Sequence, residues 1–112
     1  MDIRHQERIS IVQELFAFFF NKKTKLSEKT KKILENQDKI NLLVEKNAPK
    51  FPLEKIAKID LAILTLAVFE LILEKKQPPK VIINEAVEIA KEFGGDKSYA
   101  FINAVLGKIY VK

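Results

Sequence analysis

The chain has 112 residues, enough for one domain with one real core, and its 47% apolar and 31% charged composition is that of a globular protein. Cysteine is absent, which excludes a disulfide framework, a thiolate metal site and a cysteine nucleophile. The net charge is +5, no apolar run reaches the about 20 residues of a membrane span, and the acid-bearing start has no following apolar block, so no signal peptide is expected and a cytoplasmic protein is the simple reading.

Residues 2–21 read as a helix, with Ile9, Val12, Leu15, Phe16, Phe19 and Phe20 at helical spacing and Gln6, Glu7, Ser10, Gln13, Glu14 and Asn21 opposite. Arg4 and Arg8 lie within the apolar arc, at the end of the helix where its dipole disfavours cations. Such a local conflict marks a candidate site. The alternative is that both arginines snorkel over the core edge.

Residues 22–32 hold six lysines against one glutamate, an exposed loop leading into a helix with Ser27 as its N-cap. Residues 1–58 carry 13 Lys/Arg and 8 Asp/Glu, whereas residues 59–112 carry 7 of each. A basic half suits an anionic partner, but on charge alone a solvated lysine-rich surface is the simpler explanation. Residues 28–47 are expected to form one amphipathic helix with Ile33, Leu34, Ile40, Leu43 and Val44 inward, broken by Ala48-Pro49-Lys50-Phe51-Pro52. Residues 53–58 make a short helical turn.

Residues 59–74, IDLAILTLAVFELILE, form the expected central helix. Its polar residues up to Leu73, Asp60, Thr65 and Glu70, do not share a face, so the helix is apolar nearly all round and belongs in a core. Asp60 is placed as an N-cap or first-turn acid, and Lys75, Lys76 and Pro78-Pro79 close the helix. Glu70 is expected to be a buried carboxylate satisfied by backbone amides or a lysine. Ile82, Ala86, Ile89, Ala90 and Phe93 form the stripe of the next helix, ended by Gly94-Gly95, with glycine suited to a left-handed position. Asp96 is expected to cap the last helix, about 97–110, with Ile102, Val105, Leu106 and Ile109 inward. No segment alternates strictly, so the expected fold is an all-α bundle of about five to six helices, one domain with a basic N-terminal part (1–50) and a C-terminal part (51–112).

Catalytic signatures are missing: there is no phosphate-cradling glycine loop, no H-E-x-x-H and no G-x-S-x-G. The single histidine, His5, reads as a surface or ligand-contacting residue rather than a base, and no enzyme activity and no cofactor is expected. Arg4, Arg8, the 22–32 lysines, Phe93, Lys97 and Phe101 are the ingredients of a single-strand binding surface, since cations neutralise phosphates and aromatic faces stack on bases. A helical adaptor that docks a protein partner is the alternative.

The strings IDLAILTLAVFELIL (59–73), PPKVIINEAVEIAKEFGGDKSYAFINAVLGKI (78–109) and, more weakly, RHQERISIVQELF (4–16) resemble the NusB family of transcription antitermination factors. The resemblance covers about residues 52–110, supported by the first helix. It implies an all-helical fold of two small subdomains. It also implies binding to single-stranded boxA RNA of ribosomal leaders, partnership with the ribosomal protein NusE, and action in an RNA polymerase antitermination complex. By position, it assigns Arg4, His5, Arg8 and Phe16 (where the family often has Tyr) to one RNA-facing patch and Phe93, Lys97 and Phe101 to a second. Asp60 falls near the family's NusE-facing surface. A related domain precedes a catalytic domain in some ribosomal RNA methyltransferases; with the chain ending at Lys112, no such domain is expected.

Several positions depart from the pattern. His5 and Gln6 stand where the family has arginines, and Thr65 stands where its central helix often has one. The chain is shorter than most members, with a helix of the N-terminal subdomain missing between residues 22 and 40. Two readings follow: an RNA-binding antitermination factor, or a reduced docking scaffold or homodimer without useful RNA binding. The first expects Arg4→Ala with Arg8→Ala to weaken RNA binding at little cost in stability.

Overall fold

In a computed structural model, which describes residues 2–48 and 50–110, the chain folds into six α-helices, and no strand occurs among the described residues. They are α1 (Ile3–Phe20), α2 (Glu28–Leu34), α3 (Gln37–Asn47), α4 (Lys58–Val68), α5 (Pro79–Phe93) and α6 (Ser98–Ile109). A 3-10 turn, Leu53–Lys55, precedes α4. Pro49, part of the expected break, lies outside the described residues.

The apolar run folds as expected into the buried centre. Every residue from Ala62 to Leu71 is buried, because α1, α3, α5 and α6 all pack on α4. Each of the six helices sends at least one side chain into one contiguous core: Leu15, Ile33, Ile40, Leu64, Ile89 and Leu106 are all essentially inaccessible. No helix among the described residues is long and apolar enough to cross a membrane.

Four local expectations are corrected. The helix expected over 28–47 is two helices, interrupted at Glu35–Asn36, where the Asn36 N–H returns to the Ile33 carbonyl at 3.0 Å. The central helix does not stay α-helical to residue 74. From Phe69 to Glu74 it widens into a π turn, closed by the Lys75 N–H on the Glu70 carbonyl at 2.9 Å, with Lys75 left-handed at φ 57°. Gly94 is not left-handed (φ −92°); a β-carbon there would lie 2.6 Å from the Ser98 Cβ and 2.8 Å from the Ala90 carbonyl, so glycine is required by close approach. Asp96 does not cap α6; Lys97 precedes the helix without a capping bond, and the Ser98 hydroxyl instead accepts the Gly95 N–H at 2.9 Å.

Other ends follow the expected chemistry. The Asp2 carboxylate accepts the Arg4 N–H and caps α1. Ser27 caps α2 through the Thr30 N–H, and the Ser27 N–H is accepted by Glu14 at 2.8 Å, which pins the lysine-rich loop back onto α1. Asp60 lies in the first turn of α4, after an Ala57 N-cap that has no side-chain bond.

Candidate nucleic-acid interface

α1 runs along α4 so that its start lies beside the C-terminal end of the central helix. There the arginine pair separates. Arg8 is 8% exposed and forms a two-pronged bond with Glu70, its Nε to Oε2 and its Nη2 to Oε1, each at 2.9 Å. Its Nη1 lies 3.5 Å from Glu85 Oε1 on α5. The guanidinium is thereby held even more firmly protonated than usual, chiefly by the bond to Glu70. Glu70, 4% exposed, is thus satisfied by an arginine, not by the lysine or backbone amides expected. Arg4, one turn earlier, is exposed and, among the described residues, its guanidinium has no carboxylate within ion-pair distance. The expectation that both arginines can be removed cheaply is corrected for Arg8, whose removal strands a buried carboxylate.

His5 spans α1 and α5. Its Nδ1 lies 2.7 Å from Glu85 Oε1 and its Nε2 3.5 Å from Glu92 Oε1, two carboxylates two turns apart on one face of α5. The hydrogen bond to Glu85 raises the His5 pKa above its ordinary value, against a smaller opposing effect of burial. A protonated His5 offsets the charge of the two acids on this face of α5.

Glu92 leads directly to Phe93, exposed at the end of α5. Lys97 is exposed in the turn that follows, and Phe101 is half-buried on α6, its ring edge-on to Phe51 at 5.1 Å between centroids. The adjacent Ser98 is buried at the start of α6, close to Asp60 at the start of α4. Asp60 is 9% exposed; burial raises its pKa, with Ser98 opposing. Its carboxylate therefore faces α6 rather than solvent, and one oxygen, Oδ1, has no partner among the described residues. Phe16 is half-buried against the core, edge-on to Phe20 at 5.0 Å.

His5 thus ties α1 to the face of α5 that leads to Phe93 and Lys97, whereas Arg4 lies on the other side of α1, lining a groove with Glu70, Glu74 and Lys76 at the end of the central helix. Three elements escaped the sequence reading: Glu70 as the anchor of Arg8, Glu85 as a shared acceptor, and Phe51 as the partner of Phe101. The first was within reach, since Arg8 and Glu70 are each a charge on an otherwise apolar face. Among the described residues no group of three His, Asp or Glu side chains is arranged to hold a metal ion.

The NusB family profile matches residues 6–111. The chain belongs to the NusB family. Among relatives, the NusB antitermination protein of Acetivibrio thermocellus is 38% identical over 104 residues, covering 93% of this chain and 72% of that one. That of Agathobacter rectalis is 43% identical over 83 residues, covering 74% and 63%. This NusB-family chain therefore spans roughly two thirds of the length of these curated relatives. Thermotoga maritima NusB superposes with a TM-score of 0.84 at 29% identity, covering 96% of this chain and 90% of that one. A NusB solved with NusE and double-stranded RNA superposes at 0.78 with 21% identity, covering 97% and 98%, a likeness of fold. In this NusB-family chain Thr65 is buried and accepts a bond from Gln37 Nε2 at 3.2 Å, so it ties the start of α3 to α4.

Proposed function

We propose that the chain is a transcription antitermination factor that binds single-stranded, boxA-type RNA together with NusE in the cytoplasm, as part of an RNA polymerase complex. The observation that carries this reading is Arg4: an exposed guanidinium with no ion-pair partner among the described residues, in a groove that also holds Lys29 and Lys76. Exposed cations, together with the exposed ring of Phe93 elsewhere on the surface, are the chemistry by which a single strand is held, phosphates by charge and bases by stacking. Relatives named as antitermination proteins support the activity, and the NusB fold solved with NusE and RNA supports the partners. In this reading Arg4, Lys97 and a protonated His5 meet phosphates, Phe93, Phe101 and Phe16 meet bases, and Arg8 holds α1 in position. Asp60 lies at the NusE-facing end, where α4 starts close to Ser98 of α6.

A fluorescence-anisotropy titration tests this: a boxA-like RNA and a scrambled control, with and without NusE, at two salt concentrations. Preference for the boxA-like RNA, strengthened by NusE and weakened by salt, is the expected result. Equal, weak and salt-erased binding to both RNAs overturns it. One observation favours a second reading, a protein-docking scaffold or homodimer: Arg8 is consumed by Glu70, which leaves one cation fewer for phosphates. Under that reading Arg4→Ala changes no binding.

A further inference from the structure

At the far end of α1 stands a feature that the proposed interface leaves unused. Phe20 is 66% exposed, unusual for a phenylalanine, although its ring is held in place by Phe16 and by the Lys58 ammonium 5.2 Å from its centroid. Lys22 lies 4.8 Å from the centroid of the neighbouring Phe18, and Lys23 and Lys25 are exposed in the loop beyond. Phe20 therefore continues from Phe16 along α1, and Lys58 ties its ring to the start of α4. It is about 24 Å from Arg4 along α1, taking 1.5 Å per residue.

We propose that Phe20 and Lys58 form an additional stacking step for single-stranded RNA, taking nucleotides that flank the segment held near Arg4. This rests on the RNA-binding reading above. Charge selects a polyanion over an apolar protein partner: an exposed ring alone fits either, but Lys58 against the ring and the exposed Lys22, Lys23 and Lys25 in the segment that starts two residues beyond it fit a phosphate chain. The long Lys58 side chain can leave the ring face for a phosphate, and a base then takes that face. The preformed edge-on contact with Phe16 means that the ring needs little ordering when a base arrives.

The test uses the full chain and nested RNAs: the boxA-like segment alone, and the same segment extended by three uridines at either end. Binding is compared for the unmodified chain and for Phe20→Ala, Phe20→Tyr, Lys58→Gln and Arg4→Ala, with sedimentation velocity on each. The expected result is that one extension tightens binding at least about fivefold. That gain disappears in Phe20→Ala, persists in Phe20→Tyr, and loses part of its salt dependence in Lys58→Gln. Arg4-dependent binding of the short RNA with no gain from either extension, or a gain that survives Phe20→Ala, overturns the stacking step and leaves the RNA-binding reading intact. Loss of self-association in Phe20→Ala also overturns it, by showing that a second copy covers this face. Failure of every RNA to bind removes the underlying reading itself.

Discussion

Arg8 and Glu70, 62 residues apart in sequence, meet through two parallel 2.9 Å hydrogen bonds inside the protein. A buried pair adds little stability over a well-packed apolar pair, but removing one member strands the other charge. Arg8→Ala and Glu70→Ala should therefore each cost about 3–5 kcal/mol. Arg8→Met with Glu70→Leu should recover most of that loss. Urea-unfolding midpoints of the two alanine variants, their double and the apolar double decide the matter; additive single losses would show that the pair is not coupled.

His5 should make stability pH-dependent. Its folded pKa is raised above 6.5, so its contribution is fully present below about 6.5 and is lost as pH rises through the raised folded value. Asp60 is also raised, from 3.8, and acts in a more acidic window. Between pH 5.5 and 8.5, the unfolding midpoint of the unmodified chain should fall more than that of His5→Gln. Parallel curves for the two proteins would remove His5 from the account. RNA binding should weaken over the same range, as deprotonation removes the His5 cation and leaves Glu92 uncompensated on the α5 face that leads to Phe93.

Arg4→Ala should separate binding from folding. Its side chain is exposed, so stability should shift by no more than about 0.5 kcal/mol. The slope of log affinity against log salt should become shallower by about 0.7, the share of one phosphate contact on a single strand. Anisotropy over a salt series reads the slope, and an unchanged slope with unchanged stability places the phosphate contacts elsewhere.

Gly94→Ala should be costly although its backbone angles are ordinary. The new methyl would press on the Ser98 side chain and the Ala90 carbonyl at 2.6–2.8 Å. Forcing these groups apart should cost about 1–3 kcal/mol and displace the turn that carries Lys97. A thermal melt reads the first effect, and RNA affinity at low salt reads the second.

Lys75→Gly should do the opposite. Lys75 is the one non-glycine residue with positive φ among the described residues. Glycine relieves a left-handed strain of about 1 kcal/mol and should raise the melting temperature. A fall would mean that the Lys75 side chain is more useful than its backbone is strained.

Local chemistry made much of this fold legible. An apolar run with no wet face had to be buried, a serine before Glu28 had to cap, and paired prolines had to stop the central helix. What escaped depends on distant packing. Nothing between Ile33 and Ile40 breaks a helix, because no glycine or proline stands there; the interruption at Glu35–Asn36 serves the path of the chain around α4. The π turn leaves no trace in periodicity over six residues. At the candidate site, Arg4, Phe93 and Lys97 were recognisable as surface cations and aromatics. The different fates of Arg4 and Arg8 were not, because what separates them is a carboxylate that sequence spacing alone does not bring near.

Glu70 and Glu74 both sit at the negative end of the central helix, and each draws a cation from the first third of the chain: Arg8 from α1 and Lys29, at 3.0 Å, from α2. During synthesis both cations are made long before their acids. At about 5–20 residues per second, Arg8 waits roughly 3–12 s for Glu70 to be made. For that interval neither α1 nor the lysine-rich segment has the acid that fixes it, and α1 can take its final place only when the central helix is nearly complete.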